Sequence, residues 1–167
     1  MRAAAPAVLL LALALAGCTA SPPAWPVASE APVAWSFVDT EGQRHSNATA
    51  AGEPAVLFFL ATWCTSCRAM TQRLAAVHAE VREDVGFYSV SIEANDDHAA
   101  LEQWKQQYRQ PWPHGRDEGY AMARAFGIVA QSSVVVLDAE GRVVQQWGYP
   151  GASEAEVRAA VQRARAA

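Results

Sequence analysis

Cys64 and Cys67 stand three positions apart with Thr65 and Ser66 between them, directly after the apolar run Val56 to Leu60. Met70, Leu74, Val77 and Val81 then recur at helical spacing, so the pair falls where a buried strand passes into an amphipathic helix. The first turn of a helix offers unpaired backbone N–H groups and the positive end of the dipole, both of which favour a thiolate over a thiol. Cys64 is therefore predicted to be the nucleophile. Cys67, one turn further on, is shielded yet near enough to close a disulfide with it. Such a pair attacks a disulfide with its first sulfur and resolves the mixed disulfide with its second.

Other uses of the pair are weaker. Zinc and iron–sulfur sites need about four ligands. Here His45, His78, His98 and His114 are scattered singly, so no metal site is assigned and the reaction needs no cofactor beyond the Cys64–Cys67 disulfide. A disulfide across two residues closes too small a loop to constrain the unfolded chain much, which favours a chemical role over a structural one.

The third cysteine has a different setting. Arg2 is followed by an almost purely Ala, Leu and Val stretch to Ala16, and Leu15-Ala16-Gly17-Cys18 ends it. That apolar stretch, 14 residues from Ala3 to Ala16, falls short of the ~20 that a spanning helix needs. It reads as an export signal over 1–17. The Leu-Ala-Gly-Cys run resembles a bacterial lipobox, which implies cleavage before Cys18 and lipid on its thiol. Residues 18–32, with Pro22, Pro23, Pro26 and Pro32, read as a tether in which Trp25 is an exposed aromatic. Residues 33–167 make one domain. The net charge of −4 is mild and the arginines are spread along the chain, so nothing indicates nucleic acid as a partner.

Within the domain the pattern predicts a strand at Trp35–Asp39 and the buried strand at Val56–Leu60, then a helix from Cys67 to about Glu83 and a strand at Phe87–Ile92. A second helix follows Asn95-Asp96-Asp97 and carries Leu101, Trp104 and Tyr108; Asp117–Phe126 is a short helix closed by Gly127. Strands Ser133–Leu137 and Arg142–Trp147 flank the turn Asp138-Ala139-Glu140-Gly141, and Ser153 with Glu156 forms a capping box for a last helix. The expectation is an α/β fold, a central mixed sheet with helices on both faces.

The segment Phe58-Phe59-Leu60-Ala61-Thr62-Trp63-Cys64-Thr65-Ser66-Cys67-Arg68 resembles the active site of thioredoxin-like proteins, and most closely the membrane-tethered TlpA/ResA-like group. Phe126-Gly127-Ile128 and Val136-Leu137-Asp138 agree with that resemblance, which covers about 33–165. It implies a thioredoxin-like fold and a thiol:disulfide oxidoreductase of the cell envelope, lipid-anchored, with its domain outside the cytoplasm. By position, Cys64 is the exposed nucleophile and Cys67 the resolving thiol. Trp63 shields the disulfide and helps dock partners, while Thr65 and Ser66 tune the potential. Ser132 stands where such proteins carry a cis-proline, and a non-proline cis bond costs about 3 kcal/mol, so the bond before it is expected trans. Glu93 or Asp96 is the candidate for the carboxylate that ResA-like members use as proton acceptor. The resemblance favours reduction of disulfides in envelope partners, as in cytochrome c maturation or metal-site assembly, with electrons from a membrane donor. The competing class is a Sco-like metallochaperone or other metal-binding module, which the loss of the proline leaves open. Sco proteins use C-x-x-x-C and a histidine absent from Ile128–Ser133 here, and the Pro-x-x-x-Thr-x-x-Cys surroundings of a peroxidase are absent before Cys64.

Overall fold

A computed structural model describes residues 29–50 and 52–167; the signal-like segment, Cys18 and Trp25 lie outside the described residues. The elements run β1 (Ser36–Asp39), β2 (Arg44–Ser46), β3 (Ala55–Leu60), α1 (Thr65–Val81), β4 (Gly86–Ser91), α2 (His98–Gln107), β5 (His114–Arg116), a 3-10 turn (Glu118–Tyr120), α3 (Ala121–Ala125), β6 (Ser133–Leu137), β7 (Val143–Trp147) and α4 (Glu154–Ala166). The strands form one mixed sheet in the order β2-β1-β5-β4-β3-β6-β7. β3 pairs parallel with β4 and antiparallel with β6, and all six of its residues are buried. Val56, Phe58 and Leu60 face a core shared with α1, α2 and α4, whereas Leu57 and Phe59 face Trp35, Phe37, Met122 and Phe126. Burial on both faces is why the sequence reads there as an unbroken apolar run.

The mixed sheet with helices on both faces is as expected, with four local differences. β2 and β5 have three residues each, too few for a period, and β5 is His-Gly-Arg with no apolar side chain. α1 starts at Thr65 rather than Cys67, because Cys64 is its N-cap and draws both spacer residues into the first turn. The helix expected over Asp117–Phe126 is broken, since Gly119 and Tyr120 both take left-handed backbone (φ 64° and 58°). Asp117 bridges the break, accepting the N–H groups of Met122 and Ala123 at 2.9 and 2.7 Å.

Two hairpin turns share one construction. In Asp39-Thr40-Glu41-Gly42-Gln43 the aspartate carboxylate accepts the N–H of Glu41 and of Gln43, and in Asp138-Ala139-Glu140-Gly141-Arg142 it accepts those of Glu140 and Arg142. Burial works to raise the Asp39 carboxyl, but hydrogen bonds from His45, Gln43 and Glu41 outweigh it and hold it below the usual carboxylate range. Each turn closes on a glycine at φ 82°. A Cβ at Gly42 meets open space, while one at Gly141 would stand 2.7 Å from Nδ2 of Asn47, which bonds the Val33 carbonyl. Gly42→Ala is expected to destabilise by about 1 kcal/mol through backbone strain alone, and Gly141→Ala by about 2–3 kcal/mol, in urea unfolding. Equal losses would show that the Asn47 contact carries no weight.

β5 lies between β1 and β4 and buries His114 completely. Its Nδ1 is 2.9 Å from the Trp112 carbonyl and its Nε2 is 2.5 Å from the Gln110 amide. Burial pushes the imidazole down to about 4 from an ordinary 6.5, against the Trp112 carbonyl, which raises it. The folded protein therefore takes up this proton later than the unfolded chain as pH falls. The stability linked to His114 is complete above pH ~6.5, declines below it, and is lost through pH ~4, by about 3 kcal/mol in all. In His114→Gln that share of the acid destabilisation is expected to vanish, which urea midpoints at pH 7 and pH 4.5 would show; an unchanged pH dependence would assign it to other groups.

Candidate active site

The end of β3 hands the chain to α1 through one tight turn, in which the Cys64 N–H donates to the Ala61 carbonyl at 3.0 Å. Cys64 has extended backbone, as an N-cap requires, and its Sγ accepts the N–H of Cys67 at 3.1 Å. The two cysteines are joined as a disulfide with Cα atoms 5.3 Å apart. Ser66 Oγ lies 3.1 Å from the Cys64 sulfur, while Thr65 points to solvent. Sequence reasoning made Cys64 the exposed member of the pair. In the structure it is 2% exposed and Cys67 0%, because both belong to the core cluster of α1, α4 and one face of the sheet.

The exposed group is Trp63, at 59%. Its indole N–H donates to Glu93 at 2.9 Å, and Glu93 also accepts from the backbone and side chain of Asn95. The Trp63 bond foremost, with Asn95 behind it, holds the Glu93 carboxyl below its ordinary value. A carboxylate so committed orients the indole and is a poor proton acceptor at neutral pH. Asp96 is buried, and its carboxylate takes the Thr62 N–H at 2.9 Å, the Thr62 hydroxyl at 2.5 Å and the Ser91 hydroxyl at 2.6 Å.

Ser132 is fully buried at the same pole of the sheet. Its N–H donates to the Phe59 carbonyl at 2.7 Å and its hydroxyl to the Pro150 carbonyl at 3.0 Å. The bond before it is trans, the cis peptide among the described residues being Tyr149–Pro150, and its φ is 67°. That left-handed conformation is closed to proline, whose φ is locked near −65°, and it orders Ser132 by a bond that proline lacks.

Beside Trp63 runs a groove of about 510 Å³ walled by that indole with Ile92, Tyr120, Arg124, Ile128 and Val129. Tyr120 and Val129 are 45% and 79% exposed, so with Trp63 most of the large exposed apolar side chains among the described residues gather here. No sequence pattern marks this wall, because Tyr120 joins it from a left-handed break before α3 that periodicity does not show. Cys64, Cys67, Trp63, Thr65, Ser66, Ser132 and Glu93 are brought to one end of the sheet; Cys18 lies outside the described residues. Among the described residues no three His, Cys, Asp or Glu side chains converge as a metal site would require, and no helix is long and apolar enough to cross a membrane.

Residues 27–146 match the model of the AhpC/TSA family. The chain is 24% identical over 122 residues to the thiol-disulfide oxidoreductase ResA of Bacillus thuringiensis, covering 72% of this chain and 68% of that one. Among solved structures it is similar to a thio-disulfide isomerase of Thermus thermophilus, with 29% identity, TM-score 0.68, and 81% and 94% of the two chains covered. A secreted disulfide oxidoreductase of Mycobacterium tuberculosis shares the fold, with 22% identity, TM-score 0.66, and 77% and 95% covered. The disulfide at the strand–helix junction, on a mixed seven-stranded sheet of thioredoxin-like form, agrees with each of these. The chain belongs to the AhpC/TSA family, as a thioredoxin-like, ResA-like member whose Cys64–Cys67 pair makes it a thiol-disulfide oxidoreductase.

Proposed function

We propose that this oxidoreductase works as a reductase of disulfides in other cell-envelope proteins, with Cys64 as nucleophile and Cys67 as resolving thiol. The observation that carries the reading is the setting of the Cys64 sulfur, which is 2% exposed in an apolar cluster and takes one backbone N–H. Apolar burial disfavours a thiolate. A strong oxidant needs its reduced form stabilised. Burial thus opposes the one backbone N–H and the helix dipole that favour a thiolate, and where burial prevails the disulfide is the favoured state and the dithiol a good electron donor.

In the reaction the Cys64 thiolate attacks one sulfur of the partner disulfide. That bond breaks, and the departing partner sulfur takes up a proton. Cys67 loses its proton and attacks the Cys64 sulfur in the mixed disulfide, which frees the second partner thiol. Two electrons pass from the Cys64–Cys67 dithiol to the partner, and a membrane donor restores the dithiol afterwards. Trp63 and the neighbouring groove receive the partner segment, while Thr65 and Ser66 set the dipoles around the attacking sulfur.

The export signal over 1–17 and lipid on Cys18 would place the domain outside the cytoplasm on a membrane surface. At its start the described chain is pinned by Ser29, whose N–H donates to the Val143 carbonyl at 3.0 Å. Val143 pairs with Leu137, and Leu137 with Ala55 at the beginning of β3, so this attachment is at the opposite pole from the disulfide. An anchored domain would then hold its redox centre away from its anchor.

Equilibration of the domain in glutathione or dithiothreitol buffers is expected to give a reversible two-electron couple near −270 mV, whereas one near −120 mV would make it an oxidant. Cys67→Ser should accumulate a mixed disulfide with a partner and Cys64→Ser should form none; trapping through Cys67 alone would reverse the two roles. In the full chain, Cys18→Ala is expected to move the protein from the membrane to the soluble fraction, and retention on the membrane would remove the lipid anchor from the account.

A further inference from the structure

Among the described residues five large apolar side chains are exposed, Val38, Trp63, Tyr120, Val129 and Tyr149, and three of them line the groove beside Trp63. Trp63 is joined to Cys64 by one peptide bond. The groove also takes in Ala61 and Gln131, the neighbour of Ser132, so it lies against the redox pole of the sheet.

Tyr120 reaches this wall at a conformational cost. It is a bulky residue with left-handed backbone (φ 58°), directly after Gly119 at φ 64°. Three anchors hold the turn. The Tyr120 N–H donates to the Asp117 carbonyl at 3.0 Å, the Asp117 carboxylate takes the N–H groups of Met122 and Ala123, and the Arg124 guanidinium donates to the Gly119 carbonyl at 2.6 Å. Strain of this kind persists only where its surroundings enforce it, and it gathers at binding sites.

The charges of the groove are unequally committed. Glu93 accepts from the Trp63 indole with one oxygen and from Asn95 with the other. Arg124 is exposed, and among the described residues it has no carboxylate partner, its hydrogen bond going to the Gly119 carbonyl. Most of its N–H donors therefore remain for a ligand, in the planar fork that a carboxylate fits.

We propose that this groove selects among partner proteins, taking a segment beside the attacked disulfide that carries an apolar side chain, seated against Trp63, Tyr120 and Val129, and a carboxylate, bound by Arg124. This rests on the reading that partners dock at Trp63 and names their chemistry; it does not depend on the direction of electron flow. Residues 18–28 have no acidic side chain, so the chain's own leading segment does not supply that carboxylate. An exposed arginine–carboxylate contact is a modest one, so the groove filters partners by rate rather than holding them tightly.

The test gives the reduced full-length protein a library of short peptides, each closed by one intramolecular disulfide and randomised on both sides of it. Peptides opened in the first turnover are alkylated and read by mass spectrometry. Those with Leu, Ile or Phe near an Asp or Glu are expected to open about fivefold faster than those with Lys in place of the acid, a preference that fades as salt is raised. Arg124→Glu should turn the preference toward Lys. Tyr120→Asn, which tolerates the left-handed backbone, should reduce the preference for Leu over Ser by about threefold. Arg163→Gln is the control, a cation in the last turn of α4 on the opposite face of the sheet, and should leave both preferences as in the parent.

A parent protein that opens acidic, neutral and basic peptides at rates within about twofold of one another would overturn the proposal, even if Arg124→Glu does not fold. So would an acidic preference that survives Arg124→Glu, or a rate per molecule that falls as protein concentration rises, which would give the groove to a second copy of the chain. The oxidised protein with the reduced library, run in parallel, tests the reductase reading separately: an equilibrium on the oxidant side refutes that reading, while the same preference in both directions leaves the groove's role standing.

Discussion

Strand β3 is apolar on both faces and hydrogen-bonded on both edges, and the redox centre hangs from its end. β4 and β6 hold it in register over its whole length, and each face meets a separate cluster of buried side chains. Six buried residues, each large one worth about 1.5–3 kcal/mol, leave its C-terminal end no freedom to drift. Three contacts transmit that rigidity to the site. The Leu60 carbonyl takes the Ile92 N–H, fixing the loop of Glu93 and Asp96; the Phe59 carbonyl takes the Ser132 N–H; the Ala61 carbonyl takes the Cys64 N–H.

The fold was legible wherever a pattern had enough length to repeat. β3, β4, β6, β7 and the helices α1, α2 and α4 follow from apolar spacing, with ends marked by Asp97, Ser153 and Glu156. The two shortest strands escaped because three residues carry no period, and β5 is inside the sheet through its backbone pairing and a buried histidine rather than through apolar side chains. At the site, the resemblance singled out the cysteines, Trp63 and Ser132, which the structure brings to one end of the sheet. Burial of Cys64 was not legible, since the cluster it joins is assembled from residues far apart in sequence, on α1, α4 and one face of the sheet. Nor was the division between Glu93 and Asp96, which depends on which carboxylate turns inward after β4.

The setting of the two sulfurs is a balance between opposed effects. The N-cap position gives Cys64 the Cys67 N–H and the dipole of a 17-residue helix, which favour a thiolate. Burial in an apolar cluster disfavours it. The cap is common to any Cys-x-x-C at a helix start, so it cannot by itself distinguish a reductant from an oxidant. What can distinguish them is what varies around the same motif, the packing over the sulfur foremost.

Residues 62, 63 and 64 are each tied to a different support: Thr62 to Asp96 in the core, Trp63 to Glu93 at the surface, and Cys64 to the first turn of α1. Both carboxylates come from the single loop after β4, a loop that the Leu60 carbonyl ties back to β3 through Ile92. A partner that presses on Trp63 therefore pushes against Glu93, and through one rigid loop against Asp96 and Thr62. The Cys64 sulfur, covered in the disulfide state, can be reached only if its surroundings yield. Because Glu93 under Trp63 and Asp96 under Thr62 share one loop, the Trp63 wall of the groove and the turn that carries the sulfur are mechanically a single unit.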